Sequence, residues 1–256
     1  MTANAVATPL LQLSGLVKRF GALLATDNLT LSVQQGDIHA VIGPNGAGKT
    51  TLITQLLGNL RPDSGSIIFD GCDITALPAP VRSRQGIARS FQLTALFPTL
   101  TALQNVMLSV QAHQGHSYRF WRPANEDKSL IAPAEEILKR VGLGGHMHIA
   151  ANSLSHGQQR RLDIAMAIAT SPKLLLLDEP LAGMGAGEAA QMVAFIESIR
   201  GQYTIFLVEH DMDAVFSLAN KISVLDCGRC LVTGLPDDIK RHPEVRRAYL
   251  GDSHVN

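Results

Sequence analysis

The chain has 256 residues, 46% of them apolar and 17% charged, with 22 basic side chains balanced by 22 acidic ones. That length suits one large domain or a core with a subdomain, and zero net charge gives no global attraction to nucleic acid or anionic lipid. The opening MTANAVATPLL lacks the basic-then-apolar layout of a signal peptide, and no apolar run approaches the ~20 residues of a membrane span. The expectation is a cytosolic protein, or one held at a membrane through a partner.

Leu10–Val17 and Leu29–Val33 alternate as half-buried strands, with Lys18–Gly21 as the turn between them. Phe20 in that turn either packs into the core or stacks on a base through its π-face. Asp37–Ile42 reads as a buried strand and Lys49–Gly58 as a helix. Between them Gly43, Pro44, Asn45, Gly46, Ala47, Gly48, Lys49, Thr50 and Thr51 (GPNGAGKTT) fill the pattern G-x-x-x-x-G-K-[ST]. Glycines keep side chains away, so successive backbone N–H groups can curl around a polyphosphate. Lys49 then reaches the β- and γ-phosphates, the Thr50 hydroxyl is placed to ligate Mg²⁺, and the helix N-terminus faces the anion. A plain glycine-rich turn is the alternative. The pattern arises by chance on the order of once in a hundred chains of this length, and a strand before it with a helix after it lowers that further. A nucleoside triphosphate site is predicted.

Gly65–Gly71 (GSIIFDG) is a short strand, Pro78–Arg84 begins a helix, and Ile87–Phe91 is a strand ending at Gln92. Most glutamines are solvated surface residues; the strand-end position is what favours a role for Gln92. Residues 93–164 change character, with helical patterns over Thr101–Gln114 and Pro133–Val141 and no strand between them. Within them His113–Arg122 holds the only Trp and reads as a packed loop, since no broader basic patch supports a nucleic-acid surface. His113/His116 and His146/His148 lack further ligands at metal spacing, so no metal site is expected there.

Leu154, Ser155, His156, Gly157, Gln158 and Gln159 begin the next helix, which continues as RRLDIAMAIAT. Ser155 as N-cap and Gln158 at the third helical position fit a capping box; the same helix start is a ready anion site. Pro172–Pro180 (PKLLLLDEP) carries four consecutive leucines, as a strand buried on both faces does. Asp178 and Glu179 follow at its carboxyl end, where open α/β sheets place ligands. Asp178 suits the Mg²⁺ shell and Glu179 the orientation and deprotonation of a water. Helix Glu188–Ile199 and strand Tyr203–Val208 come next, with Glu209 and His210 at the strand end; a neutral His210 can donate to a γ-phosphate oxygen. Cys227 and Cys230 read as a hairpin turn about Gly228, between strands Ile222–Asp226 and Cys230–Thr233, and Pro236–Leu250 as two short helices. The expected division is a nucleotide-binding core over 8–92 and 165–234, a helical subdomain over 93–164 and a tail over 235–256.

Taken together these residues resemble the ATP-binding subunit of ABC transporters. Phe20, GPNGAGKTT, Gln92, LSHGQQ, LLLLDEP and His210 stand in that family's order and cover residues 20 to 210. The LSHGQQ signature discriminates, because phosphate-loop kinases and GTPases lack it. The resemblance implies a phosphate-loop (RecA-like) α/β core with a mainly parallel sheet, N-terminal antiparallel strands and an inserted α-helical subdomain. It implies ATP and Mg²⁺ as cofactors, and ATP hydrolysis coupled to transport. By resemblance Phe20 stacks on adenine, Gln92 links the Mg²⁺ site of Thr50 and Asp178 to a transmembrane partner, and His210 contacts the γ-phosphate of its own site. The signature, through Ser155 and Gly157, contacts the γ-phosphate held by the opposite subunit.

LSHGQQRRLDIA, FLVEHDM and the ending HPEVRRAYLGD are similar to the larger ATPase subunit of importers for branched-chain and related hydrophobic amino acids. The implied partners are two transmembrane permeases, a second ATPase chain and, indirectly, a solute-binding protein; no nucleic acid is implied. The implied location is the cytoplasmic face of the cell membrane. Two departures stand out: His156 replaces a common Tyr or Gly, and LAGMGAGE lacks the Asp most ABC ATPases carry, with Gly185 near that place. An ATPase of a lipid or lipopolysaccharide exporter and a soluble ABC protein are the alternatives.

Overall fold

The computed structural model describes residues 8–90, 96–114 and 127–245. In chain order the first elements are β1 (Leu11–Phe20), β2 (Leu23–Val33), β3 (Ile38–Ile42), α1 (Lys49–Leu57), β4 (Ser64–Phe69), β5 (Cys72–Asp73), α2 (Ala79–Gln85) and β6 (Ile87–Arg89). There follow α3 (Ala102–Gln114), α4 (Lys128–Arg140), α5 (His156–Ile168), β7 (Leu174–Asp178) and α6 (Ala186–Ser198). The chain closes with β8 (Thr204–Val208), α7 (Met212–Leu218), β9 (Lys221–Asp226), β10 (Arg229–Gly234), α8 (Pro236–Arg241) and α9 (Pro243–Val245). No helix among the described residues is long and apolar enough to cross a membrane. The chain divides into two compact units, residues 1–82 with 200–256, and residues 83–199.

In the first unit β2-β1-β4-β5 form an antiparallel sheet. The β1–β2 turn is Gly21-Ala22, tighter than the Lys18–Gly21 turn expected from periodicity, and Lys18, Arg19 and Phe20 pair with Thr26, Leu24 and Leu23. Register shifts at Leu16/Lys18 and Lys18/Arg19 break the alternation there, which hides the end of the strand from a pattern of period two. The other sheet strands of this unit run β10-β9-β3-β8, with β3 parallel to both β8 and β9. Every residue of β3 and β8 is buried, as parallel strands covered on both faces require.

Helix α1 ends at Gly58 in the left-handed region (φ 79°). Its terminal carbonyls meet a cation that sequence did not announce. Arg82 on α2, only 1% exposed, donates to the carbonyls of Gln55 (2.6 Å) and Leu56 (2.9 Å), and also to Leu77 (2.8 Å) and Thr75 (3.1 Å). A guanidinium at the negative end of a helix both satisfies carbonyls and complements the dipole.

In the second unit β6 and β7 pair in parallel, with Ile87, Ala88 and Arg89 opposite Leu174, Leu175 and Leu176. Helices α3, α4 and α5 pack on one another. Helix α4 starts at Lys128, five residues before the expected start at Pro133, because Asp127 caps it through the Ser129 N–H (2.9 Å). Pro133 is therefore inside the helix. Its missing N–H leaves the Ser129 carbonyl without a helical donor, and Gln114 Nε2 stands 3.5 Å from that oxygen. The end of strand Ile87–Phe91, the segment from His116 to Arg122 and the tail beyond Val245 lie outside the described residues.

Among the described residues, the core of the first unit contains one histidine ring. His39 on β3 is fully buried, with Nε2 2.8 Å from Ser223 Oγ, which lies 2.7 Å from Thr233 Oγ1. Burial, helped by the Lys221 charge, lowers its pKa from the usual 6.5 to about 4. The unfolded chain binds a proton at His39 before the folded chain does. The stabilising contribution is complete above pH 6.5 and is lost as pH falls through 4, about 3 kcal/mol in all. Urea denaturation between pH 7 and 4 should show this loss, and the His39→Phe variant should show a shallower pH dependence over the same window.

Candidate functional site

The loop between β3 and α1 is held by backbone. A Cβ on Gly43 would stand 2.5 Å from the Leu225 carbonyl oxygen, and one on Gly48 (φ 99°) 2.3 Å from that of Ala25. Gly228 N–H donates to the Ala47 carbonyl (3.1 Å), and Asp27 N–H to the Gly228 carbonyl (2.9 Å). The β9–β10 turn, with Cys227 at φ 45° and Gly228 at φ 78°, thus braces the phosphate loop. The spaced glycines of the motif answer to this packing as well as to an approaching anion. Ala47 is buried, while Pro44, Asn45, Gly46 and Thr50 are exposed and Thr51 is half-buried. Lys49 Nζ arches over the loop and donates to the carbonyls of Gly43 (2.5 Å) and Pro44 (3.0 Å). Gly48 gives α1 no side-chain cap, and a helix start of this kind suits an anion.

Strand β8 ends beside β3, with Val208 opposite Val41, so Glu209 and His210 leave the sheet at the edge where the phosphate loop begins. The Glu209 carboxylate, 1% exposed, accepts the N–H of His210 (2.8 Å) and of Asp211 (3.4 Å). The His210 ring is exposed, its Nδ1 3.7 Å from Glu209 Oε2. Glu209 thus shapes the turn that presents His210. Phe20, 49% exposed at the end of β1, is no core residue; the Lys18 ammonium lies 5.8 Å from its ring centre.

In the second unit the end of β7 carries Asp178 and Glu179. Asp178 is buried, and its Oδ2 accepts from Arg89 Nη2 at 2.7 Å. Burial raises the Asp178 pKa above the ordinary carboxylate value, against the lowering effect of the Arg89 charge and hydrogen bond. Glu179 has φ 48°, a left-handed backbone that costs a non-glycine residue about 1–3 kcal/mol. Arg160, 3% exposed, donates from Nη2 to the carbonyls of both Asp178 and Glu179 at 2.9 Å. Ala182 N–H also reaches the Glu179 carbonyl (3.1 Å).

At the start of α5 the expected capping box is formed. Gln158 N–H donates to Ser155 Oγ (3.3 Å), and Ser155 N–H to Gln158 Oε1 (2.9 Å). Gln158 Nε2 lies 3.0 Å from His146 Nε2. Ser155 Oγ also donates to Glu188 Oε1 (3.2 Å), and a Cβ on Gly157 would meet the Glu188 carboxyl at 3.1 Å. An acid on α6 therefore packs against the signature. Leu154 and Gly157 are buried, while Ser155 and His156 are exposed. Gln92 lies outside the described residues. Sequence reading missed Arg89, Arg160, Glu188 and Glu209. Arg160 and Arg161 are adjacent, and nothing in the pattern says which one turns inward.

A phosphate loop on a parallel sheet, followed by a capped signature helix and an acidic strand end, defines an ATP-binding cassette. Residues 26–182 match the ABC transporter family, and the chain belongs to it; residues 229–255 also match the branched-chain amino acid ATP-binding cassette transporter family. The chain is an ABC ATPase that couples ATP hydrolysis to transport. It is 38% identical over 252 residues to the high-affinity branched-chain amino acid transport ATP-binding protein BraF of Pseudomonas aeruginosa, covering 96% of this chain and 99% of that protein. It is 37% identical over 254 residues to LivG of Escherichia coli, of the same description and with the same coverage. A solved ATP-binding cassette of an ABC transporter in its ADP conformation superposes with a TM-score of 0.83 at 28% identity, covering 96% of this chain and 100% of that one. A dimeric cassette in a post-hydrolysis state, bound to ADP and Pi, gives 0.74 at 25% identity, covering 88% and 98%.

The cap at Ser155 has a stability consequence separable from nucleotide chemistry. Ser155→Ala should lower unfolding free energy by about 1 kcal/mol, the usual loss for an N-cap side chain, with Ser155→Asn close to wild type. Urea denaturation of the nucleotide-free protein measures it.

Proposed function

We propose that this chain is an ATPase subunit of an importer for branched-chain or related hydrophobic amino acids. In this reading it lies peripherally at the cytoplasmic face of the membrane, held by two permease subunits and paired with a second, different ATPase chain. A solute-binding protein would act on the permeases and only indirectly on this chain. The observation that carries the reading is similarity to BraF and LivG over 96% of the chain.

Each site residue then takes a role that its surroundings support. Lys49 exchanges the carbonyls of Gly43 and Pro44 for β- and γ-phosphate oxygens, and the uncapped start of α1 supplies N–H donors. Thr50 and Asp178, with Gln92, would hold Mg²⁺. The exposed Thr50 hydroxyl and the Asp178 carboxylate are hard oxygen donors suited to that ion, which takes few protein ligands beside substrate phosphates. When bound, Mg²⁺ supplies charge neutralisation at the phosphates. Glu179 orients the attacking water and takes its proton. His210 donates to the γ-phosphate, and the half-exposed Phe20 stacks on adenine. Ser155 and Gly157, within the signature Leu154-Ser155-His156-Gly157-Gln158, meet the γ-phosphate bound by the other ATPase chain. Residues 93–164 act as the helical subdomain, 8–92 and 165–234 as the nucleotide-binding core, and 235–256 as the tail.

Glu179→Gln removes the base but keeps phosphate and Mg²⁺ contacts. Hydrolysis should slow roughly 10²–10⁴-fold, the usual contribution of a positioned base, while Mg-ATP drives dimerisation. Light scattering with and without Mg-ATP tests this, alone and with the partner ATPase chain. A monomer throughout would count against an ATP-bridged pair.

Permease docking is expected where the helical subdomain opens. Asn105 pins the Phe97 backbone, accepting its N–H (2.8 Å) and donating to its carbonyl (3.1 Å), yet the ring is 51% exposed. Phe97→Glu should abolish amino-acid uptake in reconstituted vesicles while leaving basal ATP hydrolysis and the melting temperature near wild type. Unchanged uptake would move the docking surface elsewhere.

A further inference from the structure

Arg160 is buried on α5, five residues beyond Ser155, and its Nη2 bridges the two peptide carbonyls flanking the Glu179 α-carbon. We propose that Arg160 is a positioning residue for hydrolysis: its guanidinium holds the Glu179 backbone in the left-handed conformation and so aims the carboxylate. The inference rests on Glu179 being the base.

Three features carry it. Glu179 at φ 48° is in a conformation that other contacts must sustain. The two carbonyls that Arg160 holds belong to Asp178 and Glu179, so the clamp fixes both sides of the residue whose side chain must be aimed. A planar guanidinium nitrogen can serve two acceptors at fixed angles, whereas a lysine ammonium on a flexible stem holds them with less geometric control. The placement has a consequence. Ser155 begins the same helix, so the element expected to receive the partner's γ-phosphate also sets this chain's own base.

The test uses the full chain and five variants: Arg160→Met, Arg160→Lys, Glu179→Gln and the double variants Arg160→Met/Glu179→Gln and Arg160→Lys/Glu179→Gln. Folding is followed by thermal melting, binding by a fluorescent ATP analogue, and hydrolysis by steady-state kinetics and single turnover of radiolabelled ATP. Arg160→Met should lower kcat roughly 10–100-fold, bounded by the 10²–10⁴ a positioned base contributes, with KM and nucleotide affinity within about threefold of wild type. Arg160→Lys should recover part of kcat. In the Glu179→Gln background the Met substitution should cost nothing further, because there is no base left to aim. An equal fall in both backgrounds would overturn the proposal, as would wild-type kcat in folded Arg160→Met. If Arg160→Met does not fold, Arg160→Lys with and without Glu179→Gln carries the same comparison. Normal turnover by Glu179→Gln alone would overturn the base assignment and this proposal with it; an inactive Glu179→Gln beside unaffected Arg160 variants overturns this proposal only.

Discussion

Backbone approaching backbone at van der Waals limits is the constraint on which the first unit's β3–α1 loop depends. Gly48 can follow Ala47 into α1 only because no Cβ intrudes on the Ala25 carbonyl, and Gly43 can leave β3 only because none intrudes on that of Leu225. The contact between Gly228 and Ala47 closes the bracket from the other side. Two strands and a hairpin turn therefore shape the phosphate loop before any ligand arrives. Such preorganisation is what an anion site needs, since donors already aligned cost little to order on binding. The loop's own lysine completes it by bonding Gly43 and Pro44, which keeps the ammonium near the place where phosphate charge would replace those carbonyls.

Buried and half-buried guanidinium groups serve several element ends. Arg82 gathers the last carbonyls of α1, Arg160 those that leave β7, and Arg89 the Asp178 carboxylate. Desolvating a cation is costly, and hydrogen bonds to several oxygens offset that cost where a single partner would not. Carbonyls at the end of a helix or a buried strand have no regular partner and cannot reach water, so a forked, permanently charged donor is the side chain suited to them. Removing one of them takes a donor from carbonyls or a carboxylate with little access to water, which ties local geometry at the element ends to the stability of the surrounding unit.

At α5 one set of atoms answers two demands. Ser155 and Gln158 satisfy each other's backbone, as any soluble helix start requires. Glu188 adds a carboxylate against Ser155 and Gly157, so this helix start carries a negative neighbour of its own. An anion brought to that start would meet this charge, and Ser155 is common to the cap and to the Glu188 contact.

The glycine loop between β3 and α1, the all-leucine strand, the capped helix start of α5 and the acids at the end of β7 were legible in the sequence because each is written in contiguous residues with a local physical cause. Glycine spacing, an unbroken apolar run and a Ser-x-x-Gln pair act within a few residues of themselves, and β3, β7 and α5 follow from them. Where local cues conflicted, reading failed: bulges hid the last residues of β1, and Pro133 drew the start of α4 away from its true cap at Asp127. Tertiary structure alone decided which neighbour of the Arg160–Arg161 pair turns inward, that Arg82 closes α1, that Glu188 meets Ser155, and that glycines 43 and 48 answer to Leu225 and Ala25. These depend on partners distant in sequence, and a side chain's partner across such a distance is set by how whole elements pack, which no local pattern encodes.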